Sequence, residues 1–152
     1  MLARDGANPD TFYAYGTALR LDGRPHEALA AYDAALTLRP AFPEARRAAA
    51  AVLRDLGHLP GALRLLTDAL TLRPDYLDAS LDLANLLHAE DRVTEALAQY
   101  DGALTHAPTN ALLWNNRAMA LHDLGRMEAA RDSLDEALRL DPALPQAHHN
   151  RG

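Results

Sequence analysis

The feature that most narrows what this chain can become is a period. Pro40, Pro74, Pro108 and Pro142 stand 34 residues apart. The stretch 27–40, EALAAYDAALTLRP, returns two periods later at 95–108 as EALAQYDGALTHAP, with ten of fourteen residues identical. A fixed period of roughly 20–50 residues marks a stacked array in which each unit covers the apolar face of its neighbour. The period divides the chain into 9–42, 43–76, 77–110 and 111–144. Residues 1–8 then read as the tail of a preceding unit and 145–152 as the start of a fifth, truncated one. A fifth unit this short cannot cover Leu134 and Leu138, so the natural chain is expected to continue.

Each unit reads as two helices. In the first, Phe12, Tyr15, Ala18 and Leu19 recur at spacings near three and four, which places them on one helical face. Asp22-Gly23-Arg24-Pro25 interrupts the pattern. Glycine can take the left-handed conformation that ends a helix, and proline suits the first turn of the next. A second helix carries Leu29, Tyr32, Ala35 and Leu36 inward and stops before Pro40, which has no N–H to offer. The same punctuation recurs at Gly57 and Gly125, while the third unit turns at Glu90-Asp91-Arg92 without glycine. There the first helix is expected over 76–89 with Asp75 as its N-cap, and in the second unit the second helix over 61–72. Composition agrees. Nearly half the residues are hydrophobic, yet there are only two Phe, one Trp and five Tyr. Ala and Leu supply most of the rest, and both favour helix over sheet.

The residues held in register resemble the tetratricopeptide repeat. Phe12, Tyr15-Gly16, Leu19, Ala28, Tyr32, Ala35 and Pro40 fill its signature in the first unit. Ala49-Ala50, Leu53, Ala62, Leu66, Ala69 and Pro74 do so in the second, with Arg46 where the family has Trp. Leu83-Ala84, Leu87, Ala96, Tyr100, Ala103 and Pro108 follow in the third, with Ser80 at the Trp position. The fourth has Trp114, Ala118, Leu121, Ala130, Leu134, Ala137 and Pro142, but Arg117 replaces a Leu. The resemblance implies an all-α fold, a right-handed superhelical α-solenoid of helix-turn-helix repeats. Ala28, Ala62, Ala96 and Ala130 mark where the second helix crosses the first, a place where a larger side chain would cost about 1–3 kcal/mol.

In that family the first helix of each unit lines the concave surface. By register, the implied partner-binding residues are Tyr13, Thr17 and Arg20, then Arg47 and Arg54, then Asp82, Asn85 and His88, then Asn115, Asn116, Met119 and His122. His149 and Asn150 would extend the row. Arg47 and Arg54 share a helix face and suit a carboxylate or phosphate. Asp82, Asn85, Asn115 and Asn116 suit a polar segment, since an amide both donates and accepts. Asn116 and Asn150, one period apart with Asp82 in the same register, resemble the asparagine ladder of O-linked N-acetylglucosamine transferases, although Ala14 and Ala48 interrupt it. Tyr13 and Thr17 stand where a chaperone-tail carboxylate clamp would need Lys and Asn, so that partner is not expected.

The function that follows is a scaffold or adaptor that binds a protein or peptide segment. Two alternatives stand beside it: the substrate-recognition region of a larger enzyme, and a scaffold that self-associates end to end. A formal charge of −6 argues against a nucleic-acid partner, which needs a basic footprint. All fifteen basic residues are Arg, which base composition explains as well as selection does. There is no Cys, and no apolar run approaches the roughly 18–20 residues that span a bilayer, so no membrane partner is expected. The expected compartment is the cytoplasm. No phosphate-binding loop, nucleophile elbow or compact metal motif occurs, so no cofactor, metal or catalysis is expected within these residues. His88 and His122, one period apart with Asp82 or Asp123 nearby, are the closest approach to a metal-ligand set, and read better as helix-surface histidines.

Overall fold

The computed structural model describes residues 7–151. Most of the expected preceding tail at 1–8, and Gly152, lie outside the described residues. Those residues form helices joined by short turns, in two compact units divided between Tyr76 and Leu77.

The first unit holds α1 (Pro9–Leu21), α2 (Pro25–Leu38), α3 (Pro43–Asp55) and α4 (Leu59–Leu72). α1 pairs with α2, α3 pairs with α4, and α2 packs on α3. Its core joins Leu19, Ala28, Ala31 and Tyr32 to Ala49 and Val52, and joins Ala35 to Phe42 and Ala45. The second unit holds α5 (Leu77–Ala89), α6 (Val93–His106), α7 (Ala111–Asp123), α8 (Met127–Leu140) and the short α9 (Pro145–Arg151). The same pairing recurs as α5 with α6, α7 with α8 and α6 on α7, with α9 against α7 and α8. Ala118, Leu134, Ala137 and Ala147 form a core here, with Trp114, Leu138 and Leu144 packed against it. The crossing alanines behave as their spacing predicts. Ala28, Ala62, Ala96 and Ala130 are all buried.

One chain-reversal geometry ends α1, α3, α5 and α7. Arg24, His58, Arg92 and Arg126 donate their N–H groups to the carbonyls of Leu19, Leu53, Leu87 and Leu121, five residues back. That closure needs a left-handed residue just before it. Gly23, Gly57 and Gly125 supply it at φ 73°, 83° and 75°, and Asp91 does so at φ 61°. The residue without glycine therefore makes the same turn under strain. Asp91→Gly is expected to raise thermal stability, by about 1 kcal/mol. An unchanged or lower melting temperature would show that Asp91 gains an offsetting contact.

Two helix starts differ from the sequence expectation. α4 begins at Leu59 and not at Gly61, because Pro60 sits comfortably in its first turn. α5 begins at Leu77. Tyr76 precedes it, its N–H spent on the carbonyl of Arg73, so Asp75 lies in a turn and is not the residue before the helix. The turns before α7 and α9 repeat this closure, with Asn110 bonded to Ala107 and Leu144 to Asp141. At α7 it is Asn110 that caps, accepting from the N–H of Leu113 at 3.0 Å.

Candidate functional site

The residues singled out by register lie on first helices, but not all of them face solvent. In the first unit Tyr13 is half-buried, its ring 5.9 Å from Tyr32 and 5.2 Å from Phe42. Thr17 donates to the carbonyl of Tyr13 at 3.1 Å, and its Oγ1 lies 3.1 Å from the hydroxyl of the fully buried Tyr32. Its one proton goes to the carbonyl, so the Tyr32 hydroxyl is the donor between them. Arg20 and Arg54 are exposed, and Arg54 is bonded to the neighbouring Asp55. Arg47 is half-buried and hydrogen-bonds Tyr76, which opposes the rise that burial imposes on the Tyr76 phenol. Burial likewise pushes the Tyr13 phenol up.

The sequence pattern also held a periodic latch that register reasoning passed over. Arg39 pairs with Asp10 at 3.0 Å and covers the ring of Phe42 at 4.8 Å. One period on, Arg73 pairs with Glu44 at 2.8 Å and covers Tyr76 at 4.9 Å. Each ties the end of a second helix to the start of a first helix. The Asp10 carboxyl is held below its ordinary range by its bond to Arg39. Burial raises that of Glu44, but Arg73, a backbone hydrogen bond and the nearby Arg39 together leave the group lowered. The signal was present in TLRP, which occurs at 37–40 and again at 71–74.

The second unit brings more of the expected residues together. The Tyr100 hydroxyl reaches Asn85 Oδ1 at 2.6 Å, and Asn116 Nδ2 donates to the same oxygen at 3.3 Å. Asn115 Nδ2 donates to Asn116 Oδ1 at 3.2 Å, and Asn150 Nδ2 donates to Asn115 Oδ1 at 2.9 Å. Asn116 and Asn150 do not bond each other directly. They are links in one chain of amides that crosses from α5 through α7 to α9. Asn115 is 3% exposed, so it is an interior link and offers no surface of its own. Asp82 is half-buried on α5. Met119, His122 and Asn150 converge on a cleft of about 160 Å³, floored by Ala118, Ala130 and Leu134.

His88 closes a second link between first helices. Its Nε2 lies 2.6 Å from Asp123 Oδ2, while His122 Nδ1 lies 3.6 Å from the other oxygen. The His88 bond holds the Asp123 carboxyl below its ordinary value of 3.8, against the upward push of burial. A depressed carboxyl stabilises the fold above its unfolded pKa, and that contribution fades as pH falls through the folded value. His88→Gln is therefore expected to cost under about 1 kcal/mol at neutral pH, for a pair this open to water. The difference from the parent chain should vanish once pH drops well below 3.8. Urea titrations at both pH values measure it. A gap that persists in acid would mean that packing, not the carboxylate, is what His88 supplies.

Among the described residues, no group of three or more His, Asp or Glu is placed to hold a metal ion. No helix there is long and apolar enough to cross a membrane.

Three family models, each described as a tetratricopeptide repeat, match residues 9–42, 53–101 and 92–145. The chain belongs to the tetratricopeptide-repeat family. This all-α solenoid family is one of protein-interaction scaffolds. No curated protein matches the chain. Among solved structures, it is similar to MamA (41 to the end) from Desulfovibrio magneticus RS-1, at 21% identity and a TM-score of 0.84, covering 94% of this chain and 81% of that one. A tetratricopeptide repeat protein from Parabacteroides merdae matches at 19% identity and 0.86, covering 93% and 56%. Pseudomonas aeruginosa PilF matches at 21% identity and 0.78, covering 99% and 68%. At these identities the likeness is one of fold.

At the Trp position of this family, three different side chains in this array meet the same kind of carbonyl. Trp114 Nε1 donates to the carbonyl of Pro108 at 2.9 Å. Arg46 donates to the carbonyl of Pro40 at 3.1 Å and His148 to that of Pro142 at 2.5 Å, always six residues back. In these three repeats a side-chain N–H satisfies a carbonyl left over at the repeat boundary, whereas Phe12 and Ser80 hold the same register without one. The other departure, Arg117 for Leu, is accommodated by polar partners. It donates to Asp101 at 2.6 Å and to the buried Ser133 at 2.5 Å, and lies over the Trp114 ring.

Proposed function

We propose that this tetratricopeptide array is an adaptor that holds a protein or peptide segment on its first-helix surface. In the second unit the segment seats beside Met119 and His122. The observation that carries this reading is the convergence of Met119, His122 and Asn150 on one cleft. All three lie in the row that register assigns to the inner face. Met119 is 38% exposed and gives the cleft an adaptable apolar wall. His122 in the cleft and Asn85 in the same inner row are also exposed, so an incoming segment meets both kinds of contact. Arg20 and Arg54 supply exposed cations on the first unit's inner row.

The test is differential. A photo-crosslinking residue at position 119 should capture a partner that the same residue at Asp132, exposed on the second helix α8, does not. Met119→Glu should weaken the captured partner tenfold or more, about 1.4 kcal/mol. Equal capture at both positions would remove the first-helix surface from consideration.

A second reading, association of copies through the first repeat, has one observation in its favour. Tyr15 is 46% exposed beside a depression of about 300 Å³ lined by Phe12, Leu19 and alanines of α2. Concentration-dependent sedimentation decides it, since a monomer at high concentration would end this reading.

A further inference from the structure

The amide chain in the second unit has a direction, and the direction determines what the surface can recognise. Tyr100 is 1% exposed, and its hydroxyl has one polar neighbour, Asn85 Oδ1. A buried phenol has one proton to place, and with one neighbour it places the proton there. The carbonyl of Asn85 must therefore face inward. It also accepts from Asn116, so both its lone pairs are used. The Nδ2 group is left pointing away, on an exposed residue, and no group among the described residues accepts from it.

The first unit shows that this polarity is particular to the second. Tyr32 stands at the same register as Tyr100, and Thr17 at the same register as Asn85. There the phenol donates to Thr17, whose own proton goes to the carbonyl of Tyr13. The donor is consumed within the fold. In the second and fourth repeats the phenol register holds Leu66 and Leu134, so nothing needs to accept. Only the third repeat turns a buried hydroxyl into an outward-facing pair of amide N–H groups. Met119, at the same register as Asn85 in the next repeat, is exposed too.

We infer that Asn85 is a donor-only contact, oriented by Tyr100, and that this part of the first-helix surface takes an extended segment through its carbonyl oxygens. Such a segment need not offer any backbone N–H. Polyproline-type segments meet that description, since proline lacks the N–H and keeps the carbonyl exposed and solvated. Proline rings would also pack on the Met119 thioether. Tyr100 is a positioning residue here, acting through Asn85. This inference rests on the first-helix surface being the binding face.

The experiment uses the full chain, labelled for side-chain amide NMR, with two capped eight-residue probes: oligoproline and alternating alanine–glutamine. Oligoproline should shift the Asn85 and Asn116 Nδ2 signals saturably. Asn85→Asp, which keeps shape and removes the donors, should weaken it at least tenfold. Tyr100→Phe leaves the amide held only by the longer Asn116 bond, and should narrow the preference for oligoproline while leaving the helical spectrum intact. Shifts with alanine–glutamine alone would overturn the inference and leave the binding surface standing. So would oligoproline affinity within twofold in Asn85→Asp. Absence of inner-face shifts with both probes would overturn the inference and the surface together.

Discussion

Tyr100→Ala is expected to lower the free energy of unfolding by about 3–5 kcal/mol, the usual loss for emptying a large aromatic site. The ring is buried where α6 crosses α5, and its hydroxyl anchors the amide chain, so truncation removes packing and leaves Asn85 without its inward partner. Two companion variants separate these contributions. Tyr100→Phe keeps the ring and loses one hydrogen bond, about 0.5–1.5 kcal/mol. Tyr100→Leu should fall between Phe and Ala, because Leu66 and Leu134 fill the equivalent sites of other repeats. Burial pushes the Tyr100 phenol up to about 12, so its proton stays in place across the pH range of such measurements. Urea denaturation followed by circular dichroism gives all three values. Equal losses for Leu and Ala would show that the site collapses around either side chain and that the ring is not what fills it.

The period carried the fold because helix pairs in an array repeat their local chemistry. Left-handed residues recur at 23, 57, 91 and 125, and helix closures follow each of them. Even Asp91 could be placed, since the repeat dictates its conformation whatever residue stands there. The candidate site was legible only in part. Register named Asn85, Asn115 and Asn116 as equals on one row, yet Asn85 is exposed and Asn115 is an interior link. The difference comes from neighbours on other helices: Tyr100 below Asn85, and Asn150 of α9 against Asn115. Helical periodicity fixes a residue's angle on its own helix. It does not say what another helix brings up against that angle. Likewise, Arg46, Trp114 and His148 share no chemistry that hydropathy would group, and only the carbonyl each one meets reveals why they are interchangeable.

The same limit gives the second large effect. Thr11, Ala45, Ala79 and Leu113 occupy one register, four residues that a repeat alignment would treat as interchangeable. Leu113→Ala would then look harmless, since alanine already serves at 45 and 79. Burial predicts otherwise. Leu113 is fully buried, on the helix α7 against which α6 and α8 pack. Emptying it should cost about 2–5 kcal/mol, with the value set by how far the neighbours relax. Thr11→Ala, at the same register on the exposed face of α1, should stay within about 0.5 kcal/mol. Paired denaturation curves of the two variants compare coverage with register directly. If both variants lose the same amount, the repeats are energetically equivalent at this position, and the exposure of α1 does not govern its stability.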